Sequence, residues 1–180
     1  PEDPAVTAER ARLYEENMCK DSYRDLIVQI RDHEDYFCQH CGGFYKNFWE
    51  TVEYTLRDIN DDGQEELLLG RNGQVCDVWT IQEGKTQRIC GSSEGYLCQG
   101  NIYECYDFVD GKPMHTYCRL LPDKGIECVV QVAYEYGEWR LYDGQTDTEK
   151  IISEEEAQKI IASYVRIPLE MKPVSSFPME

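Results

Sequence analysis

From Tyr54 onward the chain is a train of short strand-like runs separated by tight-turn dipeptides, which leaves few folds open to it. Asn72-Gly73, Glu83-Gly84, Asp110-Gly111 and Gly137-Glu138 each stand between runs rich in Val, Ile, Tyr, Trp and Cys. Such pairs supply the left-handed backbone that short reversals need, so successive strands are expected to lie antiparallel and adjacent. Val75–Gln82 alternates, with Val75, Asp77, Trp79 and Ile81 on one side and Cys76 and Val78 on the other; Glu83-Gly84 then turns it into Lys85–Cys90. Gly91–Gly100 is Gly- and Ser-rich and reads as a loop. Asn101–Val109 and Met114–Leu121 form a hairpin about Asp110-Gly111. In Ile126–Tyr136 the alternation is clearest: Cys128, Val130, Val132, Tyr134 and Tyr136 point to a core, while Glu127, Gln131 and Glu135 point to water. Trp139–Tyr142 follows the next turn.

Helices are confined to the two flanks of this train. A first stretch, Ala8 to Cys19, can be capped by Thr7. A second runs from Ser22 to Asp32, with Asp21 as cap and Tyr23, Leu26, Ile27 and Ile30 at the i, i+3, i+4, i+7 spacing of one helical face. Tyr45, Phe48, Trp49 and Val52 repeat that spacing. Beyond the strands, Ser153-Glu-Glu-Glu-Ala157 caps a helix striped by Ala157, Ile160, Ile161 and Tyr164. The expected architecture is α+β: an antiparallel β-meander sheet with N-terminal helices and one C-terminal helix packed on it. With 180 residues, one domain over 21–166 is expected, preceded by a linker and first helical stretch at 1–20 and followed by an extended, proline-bearing tail at 167–180.

One loop carries chemistry. In Asp58-Ile59-Asn60-Asp61-Asp62-Gly63-Gln64-Glu65-Glu66, the oxygen-bearing residues Asp58, Asn60 and Asp62 alternate, and a glycine follows. A tightly wound loop can aim alternate side chains at one point, where Ca²⁺ accepts six to eight oxygens in irregular array. Gly63 permits the sharp turn, the Gln64 carbonyl can add a main-chain oxygen, and Glu66 can ligate directly or through water. The expected metal set is therefore Asp58, Asn60, Asp62, Gln64 and Glu66, with Ca²⁺ as cofactor. The bland alternative is an acidic turn held by Asp and Asn bonds to its own backbone.

The loop resembles the first nine positions of an EF-hand loop, but Leu69 stands where the bidentate Glu belongs, and both flanks read as strands. It is similar to the Asp-x-Asn/Asp-x-Asp-Gly-x-x-Asp/Glu calcium loops of FG-GAP-type propeller repeats, dockerin-like modules and related extracellular domains. The open coordination sphere implies weak binding, roughly 10⁻⁴ to 10⁻³ M. The wider layout resembles a group of exported or lipid-anchored proteins of anaerobic Gram-positive bacteria. It has a helix, a strand running into Asp-Ile-Asn-Asp-Asp-Gly-x-x-Glu-Leu-Leu-Leu, aromatic hairpins from Trp79 to Lys85, and Ile-Ser-Glu-Glu-Glu-Ala before a last helix. That resemblance implies a compartment and an architecture, and no reaction.

Charge points the same way. A net charge of −17 repels phosphate backbones and anionic lipid, so nucleic-acid and membrane-surface roles are not expected. No apolar run reaches membrane-spanning length. The acidic and small residues of Pro1–Glu9 look like the linker behind a removed leader or lipid anchor, and the expected location is extracellular or at the cell surface. Nine cysteines suit an oxidising exterior with one or two bridges among several buried thiols.

Rival chemistries are thinner. Cys38-Gln-His-Cys41 has the spacing of a thiol–disulfide oxidoreductase, but such a pair sits after a strand and at a helix N-terminus, and here a helical segment precedes it. No second Cys-x-x-Cys completes a zinc site, and His33, His40 and His115 are scattered. Cys105 and Cys118 could face each other across their hairpin if a four-residue loop, Asp110–Pro113, sets the register. Tyr103, Tyr106, Tyr117, Tyr134, Tyr136 and Trp139 can line a binding face or simply pack the strands. The reading that follows is a non-catalytic extracellular calcium-binding module, a recognition or scaffold domain for a protein or glycan. The alternative is an oxidoreductase using Cys38 and Cys41.

Overall fold

The computed structural model describes residues 12–14, 16–109, 111–123 and 125–179. The expected linker and the Thr7 cap lie outside them, but 12–14 and 16–18 are helical as anticipated. Helix α1 (Tyr23–Asp32) buries Leu26, Ile27 and Ile30, and its cap is Ser22 rather than Asp21: the Ser22 hydroxyl accepts from the Asp25 N–H. Next come α2 (Glu34–His40) and the single turn α3 (Phe48–Thr51). They bring Phe37, Tyr45 and Phe48 into one aromatic cluster with ring centroids 5.6 to 6.2 Å apart.

Eleven strands are named among the described residues: β1 (Glu53–Arg57), β2 (Glu66–Arg71), β3 (Gln74–Gln82), β4 (Lys85–Gly91), β5 (Glu94–Cys98), β6 (Ile102–Val109), β7 (Lys112–Leu120), β8 (Ile126–Glu135), β9 (Glu138–Asp143), β10 (Thr148–Ile152) and β11 (Lys172–Pro173). Helix α4 (Glu154–Ser163) lies between the last two. The α+β architecture with a C-terminal helix is as expected, and every ladder is antiparallel. The meander is nonetheless divided into two sheets, ordered β11-β1-β2-β3-β4 and β10-β9-β8-β7-β6-β5. The break falls where Gly91–Gly100 was expected to be a loop; it contains β5, which opens the second sheet. Gly95 hides this strand from a compositional reading. It is glycine because a Cβ there would meet the Tyr103 hydroxyl and the Val75 carbonyl.

The layers run helix, sheet, sheet, helix. The N-terminal helices pack on Leu67, Leu69, Cys76 and Trp79 of the first sheet. Its other face meets the second sheet through Ile59, Leu68, Val75, Val78, Leu97, Tyr103 and Leu120. Helix α4 covers the far face, through Ala157 against Val132 and Ile152. Because the first sheet is covered on both sides, Leu67, Leu68 and Leu69 are all fully buried, and the run is continuous rather than alternating. Truncating Leu68 to Ala would cost about 2–5 kcal/mol.

Bulges explain where the alternation misleads. Pairing shifts between Leu69 and Gly70, where a Cβ on Gly70 would strike the Gln74 carbonyl oxygen. Val75 and Val78 consequently face the second sheet, while Cys76 and Trp79 face the helices. Tyr136, expected in the core, is 91% exposed at the β8–β9 turn with φ +53°. The 167–179 segment is held rather than merely extended: Pro173 and Lys172 pair with Glu53 and Tyr54, a 3-10 turn follows at Val174–Ser176, and Val174 and Phe177 enter the helical core.

Candidate functional site

The acidic loop is wound by its own side chains. Asp58 Oδ1 accepts from the Asn60 N–H at 3.4 Å, Asn60 Oδ1 from the Asp62 N–H at 3.1 Å, and Asp62 Oδ1 from the Gln64 N–H at 2.8 Å. Asp58 Oδ2 reaches across to the Gly63 N–H at 2.9 Å. Each bond turns a side-chain oxygen back over the loop, and Gly63 at φ +86° and Asp61 at φ +60° supply the left-handed residues that close it. Asp58, Asn60 and Asp62 are thus each tied to the loop's own backbone, the bonding of an acidic turn. The Gln64 side chain does not join them; its Nε2 donates to the Ile81 carbonyl at 3.0 Å, which leaves only the main chain of Gln64 for a ligand role.

Glu66 is the unusual member. It is 0% exposed, and its Oε2 accepts from the Ile59 N–H while Oε1 accepts from the Thr80 hydroxyl. Burial raises its pKa, and the Asp58 carboxylate raises it further against those two hydrogen bonds. The donor set, carboxylates plus amide and main-chain oxygens, is the chemistry of a hard cation. Among the described residues, no three His, Cys, Asp or Glu side chains come together as a metal-holding group.

The loop also joins the layers. The Tyr23 hydroxyl on α1 donates to the Glu65 carbonyl at 2.9 Å, and Asn101, at the β5–β6 turn, donates to Asp61 at 2.6 Å. Ile59 is buried between the sheets. Helix layer, first sheet and second sheet therefore meet within nine loop positions.

A second cluster gave no signal in the sequence. Glu104 on β6 is 1% exposed and faces Arg166, whose Nε and a terminal nitrogen lie 2.7 and 3.0 Å from its oxygens. His115 Nδ1 on β7 lies 2.8 Å from Oε1 and donates to it, since an ionised carboxylate only accepts. Burial alone would raise Glu104, but His115 and the Arg166 guanidinium overcome it and hold the carboxyl at about 2. Arg166 also lies 3.5 Å over the Tyr96 ring. These residues have no motif spacing: the register of β6 and β7 brings Glu104 near His115, and a β-bridge to Cys98 brings in Arg166.

The remaining candidates are placed as follows. Cys38 lies inside α2 and Cys41 caps its C-terminal end, so a helix precedes the pair and the dipole faces it with the wrong sign for a thiolate. Burial raises both thiols, Cys41 to about 11 even with the Tyr14 hydroxyl 3.4 Å away. Cys105 and Cys118 are not opposed, because Val109 pairs with Lys112; the tighter turn sets Cys105 against Thr116 and Cys118 against Tyr103. All nine cysteines are free thiols. The proposed aromatic face divides: Tyr103 and Tyr117 are buried, Tyr117 stacks on Tyr164 at 3.8 Å, and Tyr134 and Tyr136 border a cleft of about 400 Å³ with Lys112. A larger cleft of about 600 Å³ lies between β3–β4 and Tyr14, Met18 and Cys19, with Trp79 and Arg88 in its lining. Beside it the Arg88 guanidinium and the buried Tyr45 hydroxyl both donate to Asp77. No helix is long and apolar enough to cross a membrane among the described residues. Compared with protein families, curated proteins and solved structures, the chain matches none of them.

Proposed function

We propose that the chain is a non-catalytic, calcium-stabilised module whose loop Asp58–Glu66 binds Ca²⁺ with weak, extracellular-range affinity. What supports this reading is a run of oxygen-bearing side chains, Asp58, Asn60 and Asp62, beside a fully buried Glu66 whose pKa is raised by burial. A divalent ion beside Asp58, Asn60, Asp62 and the Gln64 carbonyl would stabilise the ionised Glu66 carboxylate, directly or through water. Since the same loop ties α1 to both sheets, the ion's work is to hold layers together. The exposed Tyr136 and its cleft with Tyr134 and Lys112 then serve as the surface for a neutral glycan or a basic peptide, in keeping with the net charge of −17. The setting is a calcium-containing exterior, as for the exported proteins the layout resembles.

The test is thermal unfolding in millimolar Ca²⁺ and in chelator. The wild-type midpoint is expected to rise by several degrees with Ca²⁺, and Asp58→Ala and Asp62→Ala are expected to abolish the rise. Equal midpoints in both media, or variants that respond like wild type, would overturn the reading.

A further inference from the structure

Cys90 and Cys105 pack against the layer between the sheets, and Cys118 and Cys128 lie on adjacent strands of the second sheet. Cys90 of β4, Cys105 of β6, Cys118 of β7 and Cys128 of β8 lie near enough for each thiol to feel its neighbours' charge. Strict alternation from Val130 would put Cys128 on the face that α4 covers. The ladder does otherwise. Tyr117 pairs with Val130, but the next residue, Cys118, pairs with Cys128, so Val129 is an extra residue. This bulge turns Cys128 onto the face of Cys118 and Leu120, toward the first sheet. Directly opposed antiparallel residues have Cα atoms about 4.5–5.5 Å apart, inside the roughly 4.4–6.8 Å that a disulfide spans.

We propose that Cys118 and Cys128 form a thiol–disulfide site, which a small-molecule disulfide such as oxidised glutathione converts to an intramolecular cross-strand bridge. Cys128 is partly exposed while Cys118 is 9% exposed, so Cys128 attacks first. Its thiolate displaces one glutathione thiolate, forming a mixed disulfide. The Cys118 thiol loses its proton to solvent and attacks the Cys128 sulfur, expelling the second glutathione. Two protein thiols are oxidised and one glutathione disulfide is reduced to two thiols. Burial raises both thiols, Cys118 to about 12, so the exchange is slow near neutrality and is driven by mildly alkaline pH. Cys90 and Cys105 lie against the same inter-sheet cluster, so a bridge between them is the rival outcome. Cys90 opposes Val78, and Cys105 opposes Gly95 and Thr116, so neither has a cysteine across its ladder.

The experiment incubates purified protein with reduced and oxidised glutathione at about pH 8, alkylates the free thiols and maps the linked peptides by mass spectrometry. A Cys118–Cys128 cross-link is expected in the wild type and in Cys105→Ser. In Cys118→Ser, Cys128 is expected to stop at the glutathione adduct. A bridge mapped to another pair, a stable adduct on Cys128 in the wild type, or no oxidation at all would overturn the proposal. The wild-type map decides it even if a variant fails to fold.

Discussion

Glu66 and Glu104 are the same residue type at nearly the same depth, 0% and 1% exposed, yet their surroundings move them in opposite directions. Glu104 is met by a guanidinium and an imidazole and is held at about 2. Glu66 is met by a main-chain N–H and a hydroxyl with an Asp nearby, and its pKa rises. Burial raises both; the charge of the neighbours decides which effect wins. Glu104 draws its cation from the chain itself, from a segment that crosses back to the sheet. The acidic loop is the place where a cation from solution would have the same effect, which is the physical content of the calcium proposal.

Of the two carboxylates, Glu104 is the one whose loss costs the fold more. Over the interval from its ordinary 4.5 down to about 2, its carboxylate is bound more favourably in the folded chain. Its contribution, about 3 kcal/mol, is therefore complete above the ordinary value and lost as pH falls through that window. Urea unfolding from pH 5 to pH 2 is expected to show that loss in the wild type and a much flatter profile in Glu104→Gln. Arg166→Met should follow at about 2–3 kcal/mol, below the roughly 3–5 expected of a fully buried pair because the Arg166 side chain is 44% exposed. Its urea midpoint should fall most at neutral pH, where Glu104 is charged.

Glu66 has the opposite sign. Its raised pKa favours the folded state below the ordinary carboxylate range, and that support is lost as pH rises through the raised value. Ca²⁺ should restore it, by about 1.4–2.7 kcal/mol at a concentration ten to a hundred times the dissociation constant. Calorimetric scans should accordingly show a larger Ca²⁺ effect near neutrality than at mildly acidic pH. An equal effect at both would separate the ion from Glu66. The smallest change is Gly63→Ala. Nothing lies within 4 Å of the added Cβ, so its cost of about 1 kcal/mol is the strain of φ +86° alone, measurable by urea titration.

Local signals were legible and non-local ones were not. The Leu26, Ile27, Ile30 stripe, the Ser153 cap and the turn glycines are written in neighbouring residues, and they place helices and hairpins well. The loop donors too are contiguous. What could not be read depends on pairing between distant strands. The division into two sheets turns on β5, whose Gly95 makes way for Tyr103. The side on which Cys128 emerges depends on a single extra residue, and a period-2 pattern cannot register that. Glu104, His115 and Arg166 become neighbours only through register, so no spacing announces them.

The short ladder between β1 and β11 has a consequence for the order of assembly. Glu53 and Pro173 pair although most of the chain lies between them, and Phe177 closes on Tyr54 with ring centroids 4.8 Å apart. During synthesis the first sheet and its helices emerge early, with the β1 edge open and part of their apolar layer uncovered. They must wait for the whole second sheet to be made before that gap is filled. Contacts of such long range slow folding, and an open edge meanwhile invites another chain. A nascent chain halted between the two sheets should therefore be the species most in need of a chaperone.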